Sequence, residues 1–185
     1  MKKKTNWWVI LALSAFGICL LGCLGIALVV RFSPNIYGYV LENSSLEIGA
    51  PAPDFELAAL TGETIRLAQF RGQPVLLSFG TSWCPDCRLE TPLLEAVHKS
   101  HPELVVLLVD IKEDSDAVQS FADDFGITYP ILLDSDGKVS EQYQVFAIPT
   151  ELFIDQDGII RAKIIEKITP QLLAEYLPLI GINPQ

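Results

Sequence analysis

Residues 75–87 read VLLSFGTSWCPDC, an apolar run that leads into two cysteines separated by two residues. Residues 75–79 are typical of a short strand buried on both faces. A helix is predicted to follow from residue 85 to residue 99, so both cysteines lie where a helix begins directly after a buried strand. Pro85 fits the first helical turn, because the N–H that proline lacks would have no partner there.

The two cysteines of this run, Cys84 and Cys87, favour redox chemistry. At this spacing they can close a small disulfide ring. Cys84 also meets the unpaired N–H groups and the positive dipole end of the helix, which stabilise a thiolate. Their placement predicts that Cys84 is the exposed nucleophile and that Cys87, one turn further in, resolves the mixed disulfide.

Two other uses of the cysteine pair fit less well. A structural zinc site needs four ligands, usually two such pairs, and the remaining cysteines, Cys19 and Cys23, lie in an apolar segment near the N-terminus. An inert structural disulfide closing so small a ring would constrain little chain. We therefore expect no metal at the site and no cofactor beyond the redox-active disulfide itself.

The rest of the domain predicts an α/β fold with a mixed central sheet flanked by helices. Strands are expected at residues 55–57, 64–67, 75–79, 104–109, 129–133, 151–154 and 159–165, and helices at 85–99, 116–125 and 169–180. The order is an N-terminal β-hairpin, a βαβ unit with a further helix, and a terminal hairpin and helix. Parallel strands are thus expected in the middle of the sheet and an antiparallel pair at its end.

Charge excludes nucleic acid as a partner. The chain of 185 residues has 13 basic and 23 acidic residues, and its first 31 residues contain four of the basic ones and no acid. The remainder is strongly acidic and would be repelled by phosphate backbones. The acid-rich run at residues 110–124 is expected to be a solvated face with a helix start. A mean hydropathy of +0.34 excludes intrinsic disorder.

Residues 7–30 predict a transmembrane anchor, because 24 residues without a charge can span a hydrocarbon core of about 30 Å. Residues 1–6 form a basic tip that favours a cytoplasmic N-terminus. Residues 31–46 are expected to be a linker, and residues 47–185 a domain outside the cell membrane, in a periplasm or on the outer face. A cleaved signal peptide, or lipidation at Cys23 after Leu20-Leu21-Gly22, is the alternative.

The domain resembles the membrane-anchored TlpA/ResA-like thiol–disulfide oxidoreductases of the thioredoxin fold. The resemblance runs from about residue 48 to residue 179. It rests on GAPAPDF at residues 49–55, on LSFGTSWC at 77–84 and on AIPT at 147–150. It implies a thioredoxin-like fold that reduces or oxidises protein disulfides.

The resemblance also implies roles for particular residues. The proline matching Pro149 is cis and packs against the disulfide, and the residue matching Ile148 offers its backbone to the substrate chain. The proline matching Pro92 kinks the active-site helix. With Ile148 and Pro149, the residues around the dithiol, Trp83, Pro85 and Asp86, complete the predicted substrate-binding set.

A proton carrier is expected at Glu90. Thioredoxins keep a buried aspartate six residues ahead of the first cysteine, where this chain has Ser78, which cannot carry a proton. The TlpA/ResA-like group instead places a glutamate three residues after the second cysteine, which is Glu90. Burial would raise the pKa of that carboxyl and suit it to exchange a proton with Cys87. A carboxylate at the rim that reaches solvent is the alternative.

Helical periodicity supports the buried position independently. At about 100° per residue, an apolar arc includes Glu90, whereas Arg88 and Glu95 fall on the opposite side. The arc consists of Leu89, Leu93, Leu94, Ala96 and Val97.

Asp86, between the cysteines, has two interpretations. If its carboxylate points toward Cys84, we expect a higher thiol pKa and a more reducing couple. If it faces solvent, it only adds to the acidic surface.

The leading hypothesis is a tethered reductase of extracytoplasmic protein disulfides. The resemblance implies electrons from a membrane-embedded thiol carrier and substrates such as apocytochrome c. A thiol peroxidase is an alternative, since the Ala-Pro-Asp-Phe entry is shared with peroxiredoxins, although those place proline near the position of Phe79. A membrane-anchored copper chaperone is another, although that group uses a wider cysteine spacing and a distal histidine, and no histidine follows His101.

Overall fold

A computed structural model describes residues 46–183. The predicted basic tip, the anchor at residues 7–30 and all of the linker except its last residue lie outside this range. Within it, no helix has the length and apolar character needed to cross a membrane. The strands are β1 (Glu56–Ala59), β2 (Thr64–Arg66), β3 (Val75–Gly80), β4 (Val105–Ile111), β5 (Ile131–Asp134), β6 (Thr150–Ile154) and β7 (Ile160–Ile164). The helices are α1 (Pro85–Ser100), α2 (Ser115–Phe125), α3 (Lys138–Gln142) and α4 (Pro170–Tyr176), with 3₁₀ turns at Leu67–Phe70 and Leu177–Ile180.

The strands form one mixed sheet in the order β2-β1-β5-β4-β3-β6-β7. The central strands β3, β4 and β5 are parallel, while β6 pairs antiparallel with both β3 and β7. The predicted N-terminal hairpin is present as β1 and β2, and β1 also pairs antiparallel with β5. The predicted mixed sheet flanked by helices is therefore confirmed, and β3, the strand that leads into the cysteines, lies between β4 and β6.

Both faces of the sheet are covered, which explains the unbroken apolar runs of the central strands. On one face, Leu76 and Leu108 pack with Leu94 of α1, Phe121 of α2 and Leu173 of α4. On the other face, the core includes residues of the N-terminal segment and of α3. Helix α1 thus lies across one side of the sheet with its first turn above the end of β3.

Local signals account for the helix boundaries. Asp114 caps α2 by accepting the N–H groups of Asp116 and Ala117. Gly126, with φ of 61°, ends the same helix in the left-handed conformation that favours glycine. Thr169 caps α4 by accepting the N–H of Leu172, and Pro170 occupies its first turn as predicted.

Several sequence predictions need correction. The single helix expected at residues 169–180 is two elements, because α4 gives way to a 3₁₀ turn that contains Pro178, whose missing N–H cannot continue the α-helical pattern. Helix α3 was not predicted, since its five residues carry no helical periodicity. Asp134 holds this short helix by accepting the N–H groups of Val139 and Ser140.

The predicted orientation of α1 is wrong at two positions. Leu89 was expected in the buried arc and is exposed, whereas Glu95 was expected on the solvent side and is buried. Glu95 accepts hydrogen bonds from both the N–H and the hydroxyl of Thr128, a partner that lies too far along the chain for periodicity to reveal. Asp110, expected on a solvated face, is buried as well, because it belongs to β4.

Candidate active site

Cys84 and Cys87 form a disulfide at the first turn of α1. Cys84 is the residue that caps the helix, and its Sγ accepts the N–H of Cys87 at 3.2 Å. A helix N-terminus that points N–H groups at a sulfur stabilises negative charge there. The first cysteine is therefore the one placed to carry a thiolate.

Exposure does not distinguish the two cysteines, contrary to the prediction of an exposed Cys84. In the disulfide, Cys84 is 3 % exposed and Cys87 5 %. Both sulfurs are enclosed because Cys87 lies against the end of β3. The helix-capping position of Cys84, rather than its exposure, distinguishes it from Cys87.

Gly80 forms the floor beneath the disulfide. A Cβ atom at this position would lie 3.2 Å from Cys87 Sγ, which is tighter than ordinary van der Waals contact. In the parallel register, Gly80 lies beside Asp110 of β4. On its other side, the pairing of Phe79 with Thr150 brings the loop before β6 next to it. Cys87 therefore lies where β3 and β4 end and β6 begins.

The loop before β6 contains the cis peptide bond predicted for Ile148–Pro149. Thr150 braces the loop by donating its hydroxyl to the carbonyl of Ala147 at 2.7 Å. Among the described residues, no hydrogen bond uses the backbone N–H or carbonyl of Ile148. That backbone therefore has unused hydrogen-bonding groups, and its role in binding an extended peptide stays a prediction.

The rim of the site is apolar on one side and charged on the other. Trp83 is 67 % exposed, and Phe146, three residues before Pro149, is 87 % exposed. Pro85 and Asp86 are also exposed, and Asp86 Oδ1 lies 3.7 Å from Lys167 Nζ. Asp86 thus has a lysine partner at the surface, in line with the second interpretation of this residue. Phe146 was missed, because nothing in its local pattern distinguishes an exposed aromatic residue from a buried one.

Glu90 is buried beneath the first turn of α1, one turn after Cys87. Burial raises the pKa of Glu90 from 4.5 to about 7, and hydrogen bonds from the Ile168 backbone and from Glu151 limit the rise. The Ile168 N–H donates to Glu90 Oε2 at 2.8 Å. A carboxyl in this state can take or release a proton near neutral pH, which is the property that the predicted role of proton carrier requires. The structure therefore contradicts the alternative that Glu90 is a carboxylate at the rim that reaches solvent.

Glu151 is a second buried carboxyl that the sequence analysis missed. It lies on β6, is fully buried, and its Oε1 accepts the Ser78 hydroxyl at 2.8 Å. Burial and the neighbouring Glu90 charge raise the pKa of Glu151 well above its ordinary value. The sequence did contain one signal for this residue, because Glu151 is the single acidic residue in the strand predicted at residues 151–154.

Asp110 is a third buried carboxyl near the disulfide. Burial, together with the carboxylate of Glu113, raises the pKa of Asp110 to about 8. Glu113 in turn accepts the N–H and hydroxyl of Ser82, just before Cys84. Asp110 shares the register position of Gly80, so this acid flanks the site from the side of β4.

In the described part of the chain, no three histidine, cysteine, aspartate or glutamate side chains are grouped so as to hold a metal ion. The acids around the disulfide are instead separated by β3. Glu151 lies on one side of this strand, and Asp110 lies on the other.

Comparison with known proteins agrees with this arrangement. The model of the AhpC/TSA family matches residues 48–163. The thiol–disulfide oxidoreductase ResA of Bacillus thuringiensis is 32 % identical over 142 residues, which cover 76 % of this chain and 82 % of ResA. The thioredoxin-like protein YneN of Bacillus subtilis is 33 % identical over 165 residues, covering 86 % of this chain and 96 % of YneN. A secreted disulfide oxidoreductase of Mycobacterium tuberculosis, homologous to Escherichia coli DsbE, superposes with a TM-score of 0.63 at 27 % identity, covering 67 % of this chain and 94 % of that one.

Proposed function

Since the chain belongs to the AhpC/TSA family and is a thiol–disulfide oxidoreductase of the ResA type, we propose that it reduces protein disulfides through Cys84 and Cys87, with Glu90 as the proton carrier. The observation that carries this proposal is the buried carboxyl of Glu90 one turn beyond a disulfide that caps a helix. A purely structural disulfide has no need of a nearby group that exchanges protons.

The reaction begins from the dithiol form. The Cys84 thiolate attacks one sulfur of the substrate disulfide, forms a mixed disulfide and releases the first substrate thiolate. Cys87 then passes its proton to the Glu90 carboxylate and attacks Cys84 Sγ. The Cys84–Cys87 disulfide closes, the second substrate thiolate leaves, and two electrons have moved from the protein to the substrate.

The surface around the disulfide suits a polypeptide substrate. The unpaired backbone of Ile148 offers the hydrogen bonds of one strand edge, and Trp83 and Phe146 offer apolar contacts on the rim. Extended peptides are commonly bound in this way, with main-chain pairing for affinity and side-chain contacts for selectivity. Pro85 and Asp86, which are exposed, and Pro149, which is buried in the disulfide form, complete the proposed substrate-binding set.

We propose that residues 7–30 anchor the domain in the cell membrane, with residues 1–6 in the cytoplasm and residues 47–185 outside. The uncharged length and the flanking lysines of the sequence support this orientation. A domain in that position would receive electrons from a membrane-embedded thiol carrier. Apocytochrome c, whose haem-binding cysteines must be reduced, is the proposed substrate by family resemblance, and the disulfide itself is the only redox group the proposal requires.

The first experiment measures the reduction potential of the Cys84–Cys87 couple in the full chain, purified with detergent and equilibrated in dithiothreitol buffers. A potential near that of thioredoxin, about −270 mV, is expected for a reductase. A potential near −120 mV would make the protein an oxidant that introduces disulfides. A Cys84→Ser variant serves as the control without a couple, and rapid turnover of hydrogen peroxide by the wild type would instead favour a thiol peroxidase.

A second experiment tests substrate and location. An oxidised peptide with the Cys-x-x-Cys-His motif of haem attachment should be reduced faster than a peptide of the same composition whose cysteines are far apart. In cells, the chain should remain in the membrane fraction after a carbonate wash and be digested by protease added from outside. Release by the wash would contradict the proposed anchor.

A further inference from the structure

Glu151 occupies a position where an acid is costly. It is fully buried on β6, is followed by the apolar residues Leu152 and Phe153, and has no cation in contact among the described residues. An isolated buried carboxylate is strongly unfavourable, so a carboxyl at such a site is either paired or protonated. Its contacts show which of the two applies.

One oxygen of Glu151 has a donor. Ser78 and Glu151 are directly opposite each other across β3 and β6, and the Ser78 hydroxyl donates to Oε1 at 2.8 Å. Ser78 is also the position at which thioredoxins carry a buried aspartate. In this chain the buried acid is therefore on the neighbouring strand, facing a serine that holds it in place.

The other carboxyl oxygen of Glu151 has no such donor among the described residues. Glu151 Oε2 is buried, and no N–H or O–H group among the described residues donates to it. Its neighbour is the carboxyl of Glu90, and each of these two groups shifts the pKa of the other. Among the described residues, the partner left for Oε2 is therefore a hydrogen bond shared with Glu90. Two carboxyls can share such a bond only if one supplies the proton. Each carboxyl accepts one hydrogen bond, Glu90 from the Ile168 N–H at 2.8 Å and Glu151 from Ser78. The proton belongs on Glu151, because this carboxyl is the more deeply buried and has no cation to stabilise its charge, whereas Lys167 acts on Glu90.

With the proton on Glu151, the hydrogen bonds converge on Glu90. Ser78 donates to Glu151, and both Glu151 and the Ile168 N–H donate to Glu90. We propose that Glu151 is a positioning residue for the proton carrier, which keeps its own proton through the redox cycle and donates that hydrogen bond to the Glu90 carboxylate. The inference rests on the proposed function, in which Glu90 accepts the proton of Cys87.

The pair lies close enough to Cys87 for this role. Cys87 Sγ lies against Gly80, which is two residues beyond Ser78 on the same face of β3. Successive residues on one face of a strand are about 7 Å apart, so the Glu151–Ser78 contact is one such step from the sulfur. Glu90 follows Cys87 by about one turn of α1 and is a neighbour of Glu151.

The proton balance of the resolving step follows from this arrangement. The Cys87 S–H bond breaks, its proton joins the Glu90 carboxylate, and the electron pair left on Cys87 Sγ forms the bond to Cys84 Sγ. The bond from Cys84 to the substrate sulfur breaks, and that sulfur leaves as a thiolate. Glu151 gains and loses no proton, and the pair changes from singly to doubly protonated.

Other charged and titratable groups act on the same carboxyls. Asp86 raises the pKa of Glu90 and Lys167 lowers it. Tyr129, also buried, has a pKa raised chiefly by its burial and further by the glutamates at positions 90, 95 and 151. Asp110 lies on the far side of β3 and can be tested separately. Each of these groups stays in place in the variants of Glu151.

The experiment follows the Cys87 step directly in the full chain in detergent. Reduced protein is mixed with 5,5′-dithiobis(2-nitrobenzoate), and the second of the two phases of thionitrobenzoate release reports the attack of Cys87 on the mixed disulfide. Its rate is measured from pH 5 to pH 9 for wild type, Glu151→Gln, Glu151→Met and Glu90→Gln. Glu95→Gln, a second buried glutamate of α1, is the matched control. Carbon-13 signals of labelled glutamate side chains give the midpoint of Glu90 in each protein that retains it.

We expect Glu151→Gln to keep the wild-type midpoint, because the amide N–H₂ donates to Glu90 in place of the carboxylic acid. Glu151→Met removes the donor and should raise the midpoint from about 7 by about one pH unit or more, which slows the second phase about fivefold or more at pH 7. Glu95→Gln should leave the profile unchanged.

Two results would overturn the inference alone. If Glu151 were ionised in the wild type, Glu151→Gln would remove a negative neighbour and lower the Glu90 midpoint. This outcome is decisive even if Glu151→Met fails to fold. The other result is a profile that disappears in Glu90→Gln but does not move in either Glu151 variant. A profile that Glu90→Gln leaves intact would instead overturn the proposed proton carrier, and the role of Glu151 with it.

Discussion

Glu90 and Glu95 lie on the same helix, α1, and both are largely shielded from solvent, at 2 % and 7 % exposure. Their acidities nevertheless move in opposite directions. Burial raises the pKa of Glu90 to about 7. Burial acts on Glu95 as well, but hydrogen bonds from Lys99 and Thr128 outweigh it, and the pKa of Glu95 is lowered.

The difference lies in the donors that each carboxyl receives. Glu95 accepts the hydroxyl and the N–H of Thr128 at 2.6 and 2.9 Å, and Lys99 Nζ at 2.8 Å. Lys99, itself exposed, covers Glu95 from the solvent side, so the acid lies shallow although little of its surface is free. Glu90 receives one backbone N–H and shares its remaining side with another acid. One turn and a half of helix thus separates a carboxyl that holds the fold together from one that is ready to take a proton.

The sharpest test of this comparison is the pair of amide variants. Glu90→Gln removes the proton acceptor and is expected to slow the attack of Cys87 on the mixed disulfide by about 10²-fold at pH 7, the lower end of what general bases contribute. Glu95→Gln keeps the shape of a side chain that has no part in the reaction, so its rate should stay within about twofold of wild type. Stopped-flow measurement of the second thiol-release phase checks both.

Equal rates in Glu90→Gln and Glu95→Gln would show that the two glutamates do not differ in their role in the reaction. Asp110→Asn is the informative addition in that case, since Asp110 flanks Gly80 from β4 and burial raises its pKa to about 8. A large loss of this rate in Asp110→Asn, with none in Glu90→Gln, would assign the role of proton carrier to Asp110 instead of Glu90.

The dependence of stability on pH should differ in sign between the two glutamates. The raised pKa of Glu90 means that, between its ordinary 4.5 and about 7, the native protein binds a proton that the unfolded chain has released. The contribution of Glu90 to the free energy of unfolding therefore falls as pH rises through this window, by up to about 3 kcal/mol in total. The lowered pKa of Glu95 acts oppositely, because its stabilisation is present above 4.5 and is lost as pH falls further.

Urea unfolding of wild type, Glu90→Gln and Glu95→Gln at pH values from 3.5 to 8 separates these contributions. The Glu90 variant should lose the decline between pH 4.5 and 7, and the Glu95 variant should lose part of the decline at acid pH. Superimposable curves for wild type and Glu90→Gln would mean that Glu90 titrates alike in the folded and unfolded chain.

Removing the structural carboxyl altogether should cost stability rather than activity. Glu95→Ala leaves the N–H and hydroxyl of Thr128 without their acceptor and is expected to lower the free energy of unfolding by about 2 kcal/mol. Thr128→Ala should lose part of the same energy, and the double variant should cost less than the sum of the two, as coupled partners do. Additive losses would show that the contact contributes little.

These two glutamates also mark how far the sequence could be interpreted. Apolar runs predicted the central strands, and the dithiol between strand and helix predicted where the chemistry lies. Periodicity correctly predicted that Glu90 is buried. It wrongly predicted that Leu89 is buried and that Glu95 is exposed. In the first two turns of α1, Leu89 is exposed rather than packed in the core, and a helical-wheel argument assumes one apolar face along the whole helix.

The remaining misses are contacts between segments distant in sequence. Glu95 is buried because Thr128 supplies donors from another part of the chain. Glu151 is tolerated because Ser78 faces it across two strands. Helix α3 forms because Asp134 accepts its first N–H groups. In each case the residue type was visible but its partner depends on strand order and register, which a single sequence does not reveal.

The smallest expected effect concerns the third acid of α1, Asp86. It is 60 % exposed and lies 3.7 Å from Lys167, which is 39 % exposed, so the two form a solvent-screened pair rather than a buried one. Asp86→Asn should change the free energy of unfolding by less than about 0.5 kcal/mol, and Lys167→Gln should do no more.

The rate at which Cys84 attacks 5,5′-dithiobis(2-nitrobenzoate), read from the first phase, should stay within about twofold of wild type in Asp86→Asn, because a carboxylate turned toward solvent and a lysine exerts little field on the sulfur. An acceleration of about tenfold in Asp86→Asn, absent from Lys167→Gln, would instead place the Asp86 charge against the Cys84 thiolate in the reduced protein. The three acids of α1 would then comprise one structural carboxyl and two that act on the cysteines.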